Sequence, residues 1–428
     1  MGEYGEEAQG DSAMKVGWGK KTIGHLFDVQ LGKMLSEKAK TGTQFPYLAN
    51  FNVRWGKFDF SKLNEMNFSD WEKAKYKLQK GDLLMCEGGE IGRCAIWQGA
   101  DMEIYYQKAL HRVRPKRENI STNYLYLYMQ FIASRGKLTR LVGETSIAHL
   151  TREKLLGLAI TFPPLPEQKA IADLLSTWDE AIEKAERLIL VKEKQLRQMS
   201  RWLLLGHKRL GNQKIELADG HIFEYPSDWE LVKIGKVAKE VSARNGESEE
   251  TVLSCSKYDG FVNSLDYFGK QVFSSDTSNY KVVKKGQFGY PSNHVEEGSI
   301  GLLEHCEKGI VSPIYVVFEA SKEKVHSPYL YKLLKTDIYR HIFQVRTSSS
   351  VYRRGSLRWG DFSKIKVLIP SLEEQQQISE TLSSAQHEID LLKQLAEKYK
   401  TQKRGLMQKM LNGKWRVKPE IVNQYTEA

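Results

Sequence analysis

The sequence predicts an α+β protein: two similar globular units, joined by two long antiparallel coiled-coil-like helices with pseudo-two-fold symmetry. Three observations carry this. The chain repeats itself at an offset of 207 residues. Each copy ends in a stretch of roughly 40 residues with helical apolar spacing and a glycine stop. The segments in between alternate short apolar or aromatic runs with Gly, Asn, Asp and Lys, the punctuation of strands and turns.

The repeat is clearest where Pro163 is aligned with Pro370. Over the 47 ungapped positions to Arg209 and Arg416, fourteen pairs are identical, among them Glu167/Glu374, Gln168/Gln375, Ile171/Ile378, Leu175/Leu382, Gly206/Gly413 and Arg209/Arg416. Upstream, Trp18, Ile23 and Gly24 echo Trp229, Ile234 and Gly235, and Tyr124-Leu125-Tyr126 recurs as Tyr329-Leu330-Tyr331. The offset drifts between these anchors, as loop insertions in two copies of one fold would make it.

The expected order is a flexible tail (1–16), a globular unit (17–162), a helix (163–210), a second globular unit (211–368), a second helix (369–416) and a tail (417–428). In the first unit "GDLLMCEGG", "IGRCAIW" and "ALHRVRP" read as strands and "STNYLYLYMQFIASRGKL" as a helix. In the second, "GQFGYP", "SIGLLEH" and "GIVSPIYVVFEA" read as strands and "HSPYLYKLLKTDIYRHIFQ" as a helix. The first long helix should start near Pro166, which suits a first turn. The second should start after Ser371, where Ser371 and Glu374 have the spacing of a capping box. Each helix would be about 60 Å long at about 1.5 Å per residue. Apolar seams include Trp178, Leu188 and Trp202 on the first, with Lys192 interrupting, and Leu392, Leu395 and Tyr399 on the second. The seams could pack on each helix's own globular unit; packing of the two helices on each other is the preferred reading.

Composition narrows the function. The 428 residues hold 64 Lys and Arg against 53 Asp and Glu, a net charge of +11, which fits a nucleic-acid partner. The four cysteines form no C-x-x-C pair, so reduced thiols in the cytoplasm are expected and no metal. No apolar run is long enough to span a membrane. There is no phosphate-binding loop, dinucleotide fingerprint, H-E-x-x-H, G-x-S-x-G or Asn-Pro-Pro-Tyr-like methyltransferase motif. A duplicated, basic, non-catalytic binding protein is therefore the expected class.

Pro-Leu-x-Glu-Gln followed by a long helix, twice, each time after a Trp-led globular unit, resembles the specificity subunit of type I restriction–modification systems, from Trp18 to Arg416. The resemblance implies two target recognition domains, each reading half of a bipartite, asymmetric double-stranded DNA sequence. It implies that the helices set the spacer and dock two methyltransferase (modification) subunits, which carry S-adenosylmethionine, while this chain binds no cofactor. Restriction motor–nuclease subunits would join them. A type IIB-like specificity subunit and a protein–protein scaffold without DNA contact are the alternatives. One departure is that Glu373 replaces Pro166; another places Glu388 on the seam side opposite Ala181 of the first copy.

A DNA reader needs cations for phosphates and polar groups for base edges. In the first unit these are Lys40, Arg54, Trp55, Lys57, Arg93, Arg112, Arg114 and Lys116, then Thr145, Ser146 and His149. The family often places a Gly/Ser-rich DNA-facing loop at the last of these, matched in the second unit by Ser348, Ser349, Arg353 and Arg354; solvated loops with capping serines would look the same. Ser292, Asn293 and His294 form a further candidate base-reading loop. Trp178, Leu188, Trp202, Leu392, Leu395 and Tyr399 are the candidate partner-docking positions on the helices.

Overall fold

The computed structural model describes residues 17–35, 42–142, 149–210, 217–219, 224–348 and 355–426. The chain folds into two compact units: Met1–Ala185 with Leu395–Ala428, and Glu186–Gln394. Each therefore takes one globular part and a portion of both long helices.

In the first unit the strand Gly19–Thr22 pairs antiparallel with Ala159–Phe162, so the chain leaves the globular part beside the point where it entered. The main sheet is antiparallel, in the order Phe27–Leu31, Leu110–Pro115, Leu83–Cys86, Cys94–Ile96. Both its faces are buried, so its strands read as continuous apolar runs. Alternate residues go to opposite cores. Leu83, Met85 and Val113 meet the helix Thr122–Ser134, whereas Leu84, Cys86 and Leu110 meet an aromatic layer of Tyr47, Phe68, Tyr105 and Tyr106.

The second unit repeats these elements. Glu230–Lys233 pairs with Lys366–Ile369, and the antiparallel sheet runs Ala238–Val241, Tyr315–Ala320, Phe288–Pro291, Gly301–Leu302. Phe288 stacks on Phe318 at 4.7 Å in a core shared with the helix Ser327–Leu334. A further helix, Asp337–Ser348, follows.

The long helices are Leu165–Leu204 and Leu372–Leu411, 40 residues each. They run antiparallel within each unit. In the first, Trp178 meets Tyr399 edge-to-face at 5.7 Å, and Asp179 accepts from Lys403. In the second, Lys192 reaches Glu388 and Lys393 reaches Glu193, both at 2.7 Å. The two polar residues that interrupt the seams, Lys192 and Glu388, thus answer each other. Both packing modes coexist: Ile171, Leu175, Met407 and Met410 are buried in the first unit's core and Leu203, Leu204, Ile378 and Leu382 in the second's.

The helix ends follow capping chemistry with one difference. Ser371 Oγ accepts from the Glu374 amide at 3.3 Å, but the Glu374 carboxylate does not return to the Ser371 amide. It is held by Arg209 instead, so half of the expected capping box forms. Gly206 and Gly413 take φ of +73° and +67° two residues beyond the helix ends. At Gly206 a Cβ would also lie 2.3 Å from Pro226, so both conformation and space require glycine. Among the described residues no helix is long and apolar enough to cross a membrane.

Candidate nucleic-acid interface

The repeated Glu-Gln pair builds the joint between each long helix and its globular part. Gln168 is fully buried: its Oε1 accepts from the Ser121 amide at 2.8 Å, and its Nε2 donates to the Pro163 and Asn119 carbonyls. Gln375 does the same with the His326 amide at 2.8 Å and the Pro370 and Lys324 carbonyls. Each glutamine thereby fixes its helix to the loop that opens the Tyr-Leu-Tyr helix. The glutamates act crosswise. Glu167 accepts a two-pronged grip from Arg416, at 2.6 Å on each oxygen, and Glu374 one from Arg209. Such forked pairs fix orientation as well as adding energy. The leading tryptophans join them: Trp229 Nε1 donates to Glu374 at 3.1 Å, and the Arg416 guanidinium lies 5.9 Å from the Trp18 ring centre.

Away from this joint, three separate segments of the second unit meet on one face. The hairpin Leu253–Ser256/Gly260–Asn263 carries Lys257, Tyr258 and Asp259 at its tip. Its Gly260 has φ +70° and sits over the Tyr331 hydroxyl, which would be 2.8 Å from a Cβ. Lys335 donates to the Lys257 carbonyl at 2.6 Å and to the Gly298 carbonyl at 2.9 Å, tying the hairpin tip to the turn after Ser292-Asn293-His294. The helix Asp337–Ser348 packs against that turn and leads into the segment 349–354. Beyond the segment, the Leu357 amide donates to the Ser292 carbonyl at 2.7 Å.

The first unit assembles the same parts. The hairpin Val53–Arg54/Lys57–Phe58 has Trp55 and Gly56 at its tip, and Gly56, at φ +74°, sits over the Tyr126 hydroxyl. Tyr126 and Tyr331 are each the second tyrosine of the repeated Tyr-Leu-Tyr. Asn50 donates to the Gly88 carbonyl at 2.9 Å, and Arg93 to the Asn50 carbonyl at 2.9 Å, which joins the hairpin to the loop 87–93. His149 stands beside Gly88.

The predicted residues divide accordingly. Arg54, Lys57 and His294 are exposed on these faces, with Arg54 3.5 Å from Asp59 and His294 3.1 Å from Glu297. Arg93 is turned inward, its side chain only 14% exposed. Arg112 pairs with Asp28, Arg114 with Asp82, and Lys116 with the Gly24 carbonyl, so these three brace the fold. Ser292 is buried, and Asn293 beside it keeps a buried Oδ1 without a hydrogen-bond partner. Lys40, Thr145, Ser146, Ser349, Arg353 and Arg354 lie outside the described residues; Ser348 is described only as the last residue of its helix. On the long helices Trp178 and Tyr399 cover each other and Leu392 is half-buried, whereas Leu188, Trp202 and Leu395 are about two-fifths exposed. Sequence reading missed Tyr258, Lys335, Asn50 and the crosswise grips. Only the grips left a signal, as identical pairs in the repeat.

The chemistry here is that of binding. Burial pushes the Cys86 thiol up to about 11 and Cys255 up to about 12, which keeps both protonated and poor nucleophiles. Among the described residues, His294, Glu296 and Glu297 form the one group with possible metal-ligand atoms within 4.8 Å of one another, and His294 and Glu297 are exposed and already paired.

Residues 15–193 and 226–400 each match the family model described as the type I restriction modification DNA specificity domain. The chain belongs to that family. It is 26% identical over 346 residues to the type I restriction enzyme MjaVIII specificity subunit of Methanocaldococcus jannaschii, covering 76% of this chain and 79% of that one. Two solved structures share the fold. The type I restriction–modification S subunit from M. genitalium has a TM-score of 0.51 at 18% identity, covering 93% of this chain and 97% of that one. The HsdS subunit from Thermoanaerobacter tengcongensis has a TM-score of 0.52 at 15% identity, covering 95% and 99%. As a specificity subunit this chain recognises DNA within a restriction–modification complex and is not itself catalytic.

Proposed function

We propose that each globular part reads one half of a bipartite double-stranded DNA target, and that the two long helices set the spacer and dock two methyltransferase subunits. One observation carries this reading: the same face is built twice. In each unit a tyrosine-seated hairpin stands beside a turn or loop, and a described residue of a basic or hydroxyl-rich segment (143–149 and 346–358) reaches that turn or loop: His149 beside Gly88, and Leu357 bonded to Ser292. Basic and hydroxyl side chains in those segments, including Thr145, Ser146, Ser349, Arg353 and Arg354, supply phosphate and base contacts. Exposed Leu188, Trp202 and Leu395 supply docking contacts. S-adenosylmethionine is carried by the docked subunits, motor–nuclease subunits join for cleavage, and the complex works in the cytoplasm.

The test is co-expression with a cognate modification subunit, followed by methylome sequencing. The expected result is new adenine methylation at a two-part motif with a fixed spacer. Cells with the complex assembled but no new split motif would overturn the reading.

A further inference from the structure

We propose that the hairpin tip Lys257-Tyr258 is a rigid DNA contact of the second unit, in which the Tyr258 ring meets base or sugar faces in a groove and Lys257 the adjoining phosphate. This rests on the reading of that unit as a DNA-binding domain and adds residues it did not contain.

Tyr258 is 79% exposed, the most exposed of the large hydrophobic side chains among the described residues. Such exposure often accompanies mobility, but this backbone is held from three sides. Ser256 Oγ accepts from the amides of Tyr258 and Asp259 at 3.2 and 3.3 Å and donates to the Asp259 carboxylate at 3.0 Å. Lys335 holds the Lys257 carbonyl from below, and Gly260 rests on Tyr331. A ring on a fixed backbone loses little further freedom on binding, which favours aromatic anchors at recognition surfaces.

Charge and position point to nucleic acid. Lys257 Nζ lies 5.6 Å from the Tyr258 ring centre, a cation beside an aromatic face, as in backbone-plus-stacking contacts. At the tip itself Asp259 is engaged with Ser256, and on the neighbouring turn Glu297 is engaged with His294; Glu304 lies near Tyr331 beneath the hairpin. Through Lys335 and Gly298 the tip is fixed to the Asn293-His294 turn, so ring and turn face the same ligand. The first unit's tip also sets an aromatic among cations, Trp55 with Arg54 and Lys57 beside a tyrosine-seated glycine, but there the ring is half-buried and its Nε1 donates to Glu90.

The experiment uses the full chain co-purified with its modification subunits and a duplex bearing the motif found by methylome sequencing. Tyr258→Ala should weaken binding roughly ten- to a hundredfold with an unchanged salt slope. Tyr258→Phe should stay within about twofold of wild type, since the ring is kept. Lys257→Gln should lower the salt slope by about one unit. Methylation by Tyr258→Ala should relax at the second half-motif only, and retention of the first half-motif shows that the variant is folded. Wild-type affinity and motif for Tyr258→Ala would overturn the inference and leave the two-part reading standing. A wild-type complex that methylates no split motif would overturn both.

Discussion

Arg209 and Glu374 are 165 residues apart, and Arg416 and Glu167 are 249 apart, yet each pair forms a forked grip at a helix joint. Arg209 and Glu374 side chains are only 10% and 13% exposed, so removing one partner strands a charge away from water. Arg209→Ala should destabilise the second unit by about 2–4 kcal/mol, less than a fully dry pair because Asp228 and solvent also reach the site. Urea denaturation of the purified complex measures this, and an unchanged midpoint would show that the grip is dispensable. At this scale the sequence exposed which residues matter without saying what they touch. The identity of Glu167 with Glu374 and of Arg209 with Arg416 is plain, but pairing across the chain is a property of the fold. Ser292 reads as a loop residue and is buried, while Arg93, Arg112 and Arg114 read as cations for phosphate and are bound by groups of the protein itself.

At the scale of elements the sequence was most informative, because helical period, glycine stops and strand alternation are local. Both 40-residue helices and three strands of each four-stranded sheet lie where these signals place them, whereas the edge strands Phe27–Leu31 and Ala238–Val241 were not read from the sequence. The tyrosine-seated hairpins were not legible. "KYDG" resembles many turns, and its rigidity comes from Tyr331 and Lys335, more than seventy residues later. The helices also carry a testable dimension. Removing seven residues, about two turns, from the middle of both keeps the seam in phase and shortens each by about 10 Å. The spacer between half-motifs should shrink by roughly three base pairs at about 3.4 Å each. The motif would be read by methylome sequencing of cells carrying the shortened chain, and a spacer that stays constant would remove the helices from the role of ruler.

For the whole molecule, the repeat at an offset of 207 residues makes the family resemblance legible in the sequence alone. It does not show that each compact unit draws on both long helices, Met1–Ala185 with Leu395–Ala428 and Glu186–Gln394. That division follows from antiparallel contacts such as Trp178 with Tyr399 and Lys192 with Glu388, set by partners distant in the chain. It also means that an exchange of recognition surfaces should leave the helices intact and swap only the segment between the strands Glu230–Lys233 and Lys366–Ile369. The most direct measurement is the methylome of cells carrying the modification subunit and a chain whose residues 234–365 come from another family member. The expected result is a motif with the first half and the spacer unchanged and only the second half replaced; a motif altered in both halves, or in neither, would contradict the assignment of one half-site to each unit.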